Sequence, residues 1–489
     1  MGGTTQVLPS EQRGPAPFDA ETVPAIAQFL SNQPYRRRTA NLPRQLDRLD
    51  YDGYRKIRFD AAQAWWSDPD SPFRMQPHHR GFLFKDRVEL FEVAEGQSTP
   101  IRFRPDQFRY EDVQGPADDE DIGFAGFRLL SPLNRPDHFD ELCSFLGASY
   151  FRGLGRGNVY GLSARGLAIR TADPRGEEFP AFTAFWLEKP RAGDSAAIVH
   201  ALLESQSLTG AYRIVITPGD TTVMEVKATL YPRQEVAGVG IAPATSMFFF
   251  GPQDRAEVAD FRPAVHDSDG LLMRTGQGEQ IWRPLANPRD LQVSGFQDRG
   301  PRGFGLLQRA RQFASYQDLG AEYHRRPSLW TEPLGDWGAG EVRLVEIPTQ
   351  SEIHDNIAAA WVPSAPLKAQ EPFPLHYRLH WTGAACGDSR LPRFEETRVG
   401  VIGDGGRARI FVLELGAVQA GSADAAPEVA AETSAGELKN IVLQSNPQTG
   451  GMRLAFELHP GSARIAEIRA RLMRGQIPVS ESWAFRWTA

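Results

Sequence analysis

Alternation with a period of two runs through most of this chain, and it restricts the fold more than any other feature. From Val223 onward, Val223, Glu225 and Lys227 alternate with Met224, Val226 and Ala228. Successive side chains of an extended strand point to opposite faces, so the pattern describes a strand with one buried and one wet face. Similar runs occupy 54–59, 81–84, 88–93, 212–217, 246–250, 340–347, 357–362 and 375–381. Glycine (46) and proline (37) cut them short at close intervals. Many short strands with frequent turn residues predict a large antiparallel sandwich.

Helical period is rare. Positions 18–31 read as a helix with Asp19 as cap, Pro24 in the first turn, and Val23, Ile26, Ala27 and Leu30 on one face. A short helix is expected near 42–49 and another over 305–316, where Leu306, Leu307, Ala310 and Phe313 form a stripe. Residues 1–17 read as a flexible tail. Composition shifts at 386–396, which reads as a linker. The strands expected at 398–402, 408–415, 438–444, 452–458 and 483–487 then fit an immunoglobulin-sized sandwich over 397–489. The stretch 421–436, rich in alanine, serine and glutamate, reads as a mobile loop. No internal repeat is visible.

With 489 residues, 41% hydrophobic and 24% charged, the chain has the balance of a globular protein and can bury a large core. A net charge of -7 gives no basic field for nucleic acid. No apolar run approaches the length of a membrane span. The N-terminus lacks a basic and apolar leader, which leaves a cytosolic protein or a mature secreted form. Cys143 and Cys386 have no metal spacing; one long-range bridge and two buried thiols are both open. His78-His79 reads as a surface pair, and Gly153-Leu154-Gly155-Arg156-Gly157 as a turn. No metal or cofactor is expected, and neither Gly-x-Ser-x-Gly nor His-Glu-x-x-His occurs.

The densest chemistry lies between 261 and 361. Ala264-Val265-His266-Asp267-Ser268-Asp269-Gly270 holds two carboxylates and an imidazole. On an extended backbone Asp267 and Asp269 would share a face, and like charges side by side perturb each other's protonation. A tight turn at a strand end is the plainer reading of the same residues. Glu322-Tyr323-His324 and His354-Asp355-Asn356 follow, the latter just before a strand. Trp282, Trp330, Trp337 and Trp361 are candidate platforms for sugar rings, although tryptophans in a sandwich are mostly core.

Longer strings carry a resemblance. Phe261-Arg262-Pro263-Ala264-Val265-His266-Asp267-Ser268-Asp269-Gly270-Leu271 is one, and Ile281-Trp282-Arg283-Pro284-Leu285 another. Pro301-Arg302-Gly303-Phe304-Gly305-Leu306-Leu307-Gln308-Arg309, Arg326-Pro327-Ser328, Gly335-Asp336-Trp337-Gly338 and Asp355-Asn356-Ile357 continue it. Together they resemble the periplasmic glucan biosynthesis proteins G and D, over roughly 18–489. The resemblance implies an all-β chain: a large N-terminal galactose-mutarotase-like β-sandwich over 18–385 and a C-terminal immunoglobulin-like β-sandwich over 397–489. It implies a periplasmic protein whose leader has been removed, acting on β-1,2-linked glucan in osmoregulated periplasmic glucan biosynthesis. Members include inverting endo-β-1,2-glucanases of glycoside hydrolase family 186, and transglycosylases that cyclise the glucan at the same site.

By that resemblance Asp355 matches the general acid, Asp267 the general base and Tyr323 the residue that positions water. The base is expected to act at a distance, through water and a substrate hydroxyl. Asp269 and His266 are supporting candidates, and Arg262, Trp282, Arg283, Trp330, Trp337 and Trp361 are candidate substrate contacts. Inversion asks for two carboxyls about 6.5–9.5 Å apart, one protonated and one ionised. Asp355 is therefore expected in a poorly solvated or anionic setting. A non-catalytic glucan-binding or assembly factor is the alternative from another class. Whether the chain forms a homodimer stays open.

Overall fold

The protein is described by a computed structural model over residues 8–36, 41–255, 258–386, 391–403, 406–417 and 426–489. It is nearly all β. Two compact units organise the chain: Met1–Pro243 with Trp361–Thr382, and Ala244–Ala360 with Gly383–Ala489.

In the first unit, one sheet runs in the order Ala16–Pro17, Gln97–Pro100, Glu89–Ala94, Ala181–Glu188, Ala197–Glu204, Leu208–Thr217, Thr221–Pro232 and Phe373–Thr382. A second sheet includes Arg74–His78, Gly126–Arg135, His138–Leu146, Tyr150–Gly153 and Ser163–Arg165. Their inner faces meet through aromatic rings: Phe185 lies 5.0 Å from Phe127 and 5.4 Å from Phe145, edge to face. The helix Thr22–Ser31 covers the outer face of the first sheet, where Val23, Ile26 and Ala27 cluster with Phe91, Trp186 and Leu202. It starts later than the Asp19 cap suggests, because the Asp19 carboxylate accepts from Glu21 N–H and Thr22 Oγ1 ahead of the first turn.

In the second unit, two sheets enclose the core. One runs Ser328–Pro333, Gly303–Leu307, Gly270–Arg274, Gln280–Pro284, Ser482–Thr488, Ile465–Arg474 and Glu428–Thr433; the other runs Phe394–Val401, Arg409–Leu415, Gly451–His459 and Glu437–Asn446. Ile281 and Trp282 pair in parallel with Ser482 and Trp483, so the last hundred or so residues continue a sheet begun near 270. The core between the sheets holds Phe411, Phe456, Trp483 and Phe485, together with Trp282 and Trp330. The chain passes from the first unit to the second at Thr382–Gly383, just before the linker expected at 386–396. Of that linker, 387–390 lies outside the described residues.

Several local expectations change. The 305–316 stripe is not a helix: Gly303–Leu307 is a fully buried strand and Phe313–Ser315 a single 3-10 turn. A buried strand and a helix face share the same short apolar run, and glycine decides here. A Cβ on Gly305 would sit 2.2 Å from the Leu329 carbonyl oxygen of the neighbouring strand. Within 54–59, only Ile57–Phe59 is a strand; Tyr51–Arg55 turns helically because the Asp50 carboxylate accepts from Gly53 N–H at 2.8 Å. Residues 81–84 close as a tight turn, with Phe82 at φ 51. The expected loop 421–436 contains the strand Glu428–Thr433, paired with Ile465–Arg474, while 421–425 lies outside the described residues. The tail is tied down where it is described: Gln12 Nε2 donates to Ser98 O at 2.8 Å and Ala16–Pro17 joins a sheet. Cys143 and Cys386 are free and buried.

His78-His79 is not a surface pair. His79 is 3% exposed, with its ring 3.0 Å from Tyr110 Oη and 2.6 Å from Arg80 O, and His78 is half-buried, with Nε2 2.9 Å from Ser144 Oγ. Burial pulls the His79 pKa from 6.5 down to about 4, opposed by the bond to Arg80 O. The folded protein thus holds a neutral ring while the unfolded chain protonates as pH falls through about 6.5. The stability this contributes is complete above pH 6.5 and is lost between there and about pH 4, up to about 3 kcal/mol. Urea midpoints measured from pH 7.5 to 4.5 should fall steadily, and His79→Gln should flatten part of that slope. Equal slopes in the two proteins would refute the assignment.

Candidate active site

Val265–His266 pairs with Phe248–Phe250, and the chain then bends before entering the strand Gly270–Arg274. Gly270 permits this entry: a Cβ there would meet the Trp282 ring at 2.4 Å. The bend follows the turn reading of this run, and the two aspartates do not share a face. Asp269 turns toward the next strand end, where its carboxylate accepts from the backbone N–H of Arg309 and of Ala310. Its other oxygen lies 3.4 Å from His266 Nε2. Asp267 is 4% exposed and pairs with the Arg326 guanidinium. The structure thus separates an aspartate held by backbone donors from one paired with a guanidinium.

His266 is enclosed, stacked on Phe248 at 5.3 Å and bonded through Nδ1 to Gln308 Oε1 at 3.0 Å. Burial lowers its pKa, with the Asp269 charge opposing. Gln308 Nε2 in turn donates to the carbonyls of His266 and Tyr323, at 3.0 and 3.2 Å. One amide therefore registers the 266 segment against the 323 segment.

Tyr323 opens the 3-10 turn Tyr323–Arg325 after Glu322, which sits at φ 46. A non-glycine residue in that region is strained, and such strain collects at functional sites. The Tyr323 ring is buried, with the Arg326 guanidinium 4.2 Å from its centre. Its hydroxyl donates to Glu352 Oε2 at 3.0 Å, and burial pushes its pKa up, keeping it protonated. The same Glu352 oxygen accepts from Arg262 Nη1 at 2.8 Å, and that nitrogen also donates to Asp318 at 2.8 Å. Arg262 closes on Asp260 through Nε and Nη2, and these bonds raise its pKa.

Glu352 thereby ties the loop before Asp355 to Tyr323 and Arg262. Asp355 itself is exposed, not buried. The next residue, Asn356, is 2% exposed and fixes the loop end: its side chain accepts from Phe248 N–H and donates to the carbonyls of Phe248 and Ile347. Backbone bonds make the placement sharper. Asn356 N–H donates to Ser246 O at 3.0 Å and Asp267 N–H to Met247 O at 2.8 Å. Consecutive carbonyls of an extended chain point to opposite sides, so the backbones at 267 and 356 flank one segment. Chains bonded to the two sides of a third lie about 10 Å apart.

Other candidates fall elsewhere. Trp282 and Trp330 are core residues, 3% and 8% exposed, and Trp361 is fully buried. Arg283 is buried and paired with Glu346 at 3.0 Å. Trp337 is half-buried, edge-on to Phe304. The exposed apolar side chains near the site are instead Phe261, Leu319 and Ile353, at 79%, 84% and 81%, each adjacent in sequence to a member of the Arg262 cluster. Arg326 and Glu352 were not singled out from sequence. Arg326 stands in one of the strings that carry the resemblance, whereas Glu352 has no sequence signal beyond its closeness to Asp355. Among the described residues no group of three or more His, Cys, Asp or Glu could hold a metal ion, and no helix is long and apolar enough to cross a membrane.

Fold and site define a large all-β protein with an acid-rich surface site built on strand ends. The chain belongs to the family described as "Periplasmic glucan biosynthesis protein, MdoG", whose model matches residues 18–487. It is 52% identical to "Glucans biosynthesis protein G" of Rhodopseudomonas palustris (strain BisA53), over 97% of this chain and 94% of the relative. It is 50% identical to the protein of that name from Bradyrhizobium diazoefficiens, over 96% and 93%. A Vibrio cholerae protein with the same name is 49% identical, over 96% and 87%.

The division between the aspartates can be tested through stability. Asp269→Asn removes the charge from two backbone bonds and should cost about 1–3 kcal/mol, lowering the melting temperature by several degrees in calorimetry. An unchanged melting temperature would contradict the anchoring role.

Proposed function

We propose that the protein is an inverting endo-acting glycoside hydrolase of β-1,2-glucan, working in the periplasm in osmoregulated glucan biosynthesis. Its relatives are named for glucan biosynthesis, which supports the substrate class. The observation that carries the reaction is the pair of backbone bonds to Ser246 O and Met247 O, which sets Asp267 and the Asp355 loop on two sides of one segment. Backbones on the two sides of one segment leave room for water and a sugar hydroxyl between an acid and a base, as inversion by a relayed base requires.

In this reading Asp355 protonates the leaving glycosidic oxygen. It lies exposed, so the glucan itself must strip water from it, and desolvation favours the protonated carboxyl that an acid needs. Asp267 stays ionised beside Arg326 and serves as base. Its burial suits transfer relayed through water and a sugar hydroxyl rather than direct contact. Tyr323, protonated and fixed by Glu352, orients the attacking water. Arg326 holds the base and the tyrosine in register, a positioning role.

Incubation with linear β-1,2-glucan should release new reducing ends, with the first product in the α configuration by NMR. Asp355→Asn, with an unchanged melting profile, and Asp267→Asn should each lower kcat by at least about 10³-fold, and Tyr323→Phe by about 10²-fold. A cyclic product without new reducing ends would replace hydrolysis by transfer at the same carboxyls. Full activity of Asp355→Asn would refute the assignment of the acid.

A further inference from the structure

We infer that the first unit carries a second, non-catalytic glucan-binding site; the inference rests on the glucan reading above. The place is a cleft of about 440 Å³, lined by residues of 83–88, 147–148, 177–179, 181–183 and 204–206, together with Tyr35, Arg36, Ala125 and Arg170. This volume lies within the range of about 300–1,000 Å³ usual for ligand sites. It shares no residue with the cluster around Asp267, Tyr323 and Glu352.

The lining chemistry selects the ligand class. Four acidic and four basic side chains face the cleft, so no net charge favours an anion or a cation. Gln206 adds an exposed neutral hydrogen-bonding group, while the Thr183 and Ser205 hydroxyls are buried and bonded to Glu204 Oε1 and Leu208 O. A balanced, polar lining suits a neutral molecule dense in hydroxyl groups. Phe179, 54% exposed, supplies the apolar element. Its ring is backed by the Arg165 guanidinium at 5.0 Å, and Arg165 is itself 3% exposed, bonded to Glu177 and set against Tyr150. A ring held from one side and open on the other is a platform for the C–H face of a pyranose.

Ala148 and Arg170 line the cleft at φ 42 and φ 57. The site would retain one stretch of a long glucan while another stretch occupies the catalytic carboxyls.

The test uses the full chain carrying Asp355→Asn, titrated calorimetrically with a linear β-1,2-glucan oligosaccharide. Two sites per chain are expected. Adding Phe179→Ala should reduce them to one, and Phe179→Trp should retain both. In the active protein Phe179→Ala should raise KM for long glucan by about fivefold, the size of one aromatic contact, at unchanged kcat. KM for the shortest cleaved oligosaccharide should stay the same. Cleavage with a single binding site that Phe179→Ala leaves untouched would overturn this inference alone. Absence of both binding and cleavage in the parent protein would overturn the glucan reading with it.

Discussion

Glu481 has no exposure to solvent, and an ionised carboxylate can be buried only where donors replace its water. Here it accepts from Gln280 Nε2 at 2.8 Å, from Phe394 N–H at 2.7 Å and from both terminal nitrogens of Arg309. Three distant lengths of chain are thereby fastened to one residue. The fastening accounts for why 383–489 and 244–360 form one unit. Arg309 completes its own surroundings by lying 3.6 Å from the centre of the Trp282 ring. This explains the burial of a tryptophan that sequence alone offers as a sugar platform.

The same constraint reaches the site. Arg309, held by its side chain, presents its backbone N–H to Asp269. One aspartate of the His266-Asp267-Ser268-Asp269 run is consumed in joining strands, and its neighbour is left to the Arg326 side. Two carboxylates close in sequence thus acquire different work because one is claimed by backbone donors and the other by a guanidinium. At the opposite edge, Asn356 saturates its amide on Phe248 and Ile347, so that Asp355 projects from a fixed loop end although it is itself exposed.

The sheets were legible in the sequence because half-buried strands declare themselves by alternation, as 223–230 and 375–381 do. Fully buried strands do not: Gly303–Leu307 mimics a helix stripe, and only contact with the neighbouring strand separates the two. His79 shows the limit of reading polarity as exposure, since a histidine with two partners can be core. Asp267, Tyr323 and Asp355 were legible through long strings of resemblance rather than through spacing. Their joint geometry was not, because it depends on carbonyls of Ser246 and Met247, which carry no side-chain signal. Arg326 and Glu352 escaped for a related reason: isolated charges on loops look alike until a fold pairs them.

Arg262 gathers Asp260, Asp318 and Glu352 with only 13% of its side chain exposed. Mobile ions weaken attractions between solvated charges, but they reach an enclosed cluster poorly. Within this clasp the Arg262–Glu352 pair, whose carboxylate is 38% exposed, is the member that screening reaches, and it is the one that holds the loop bearing Asp355.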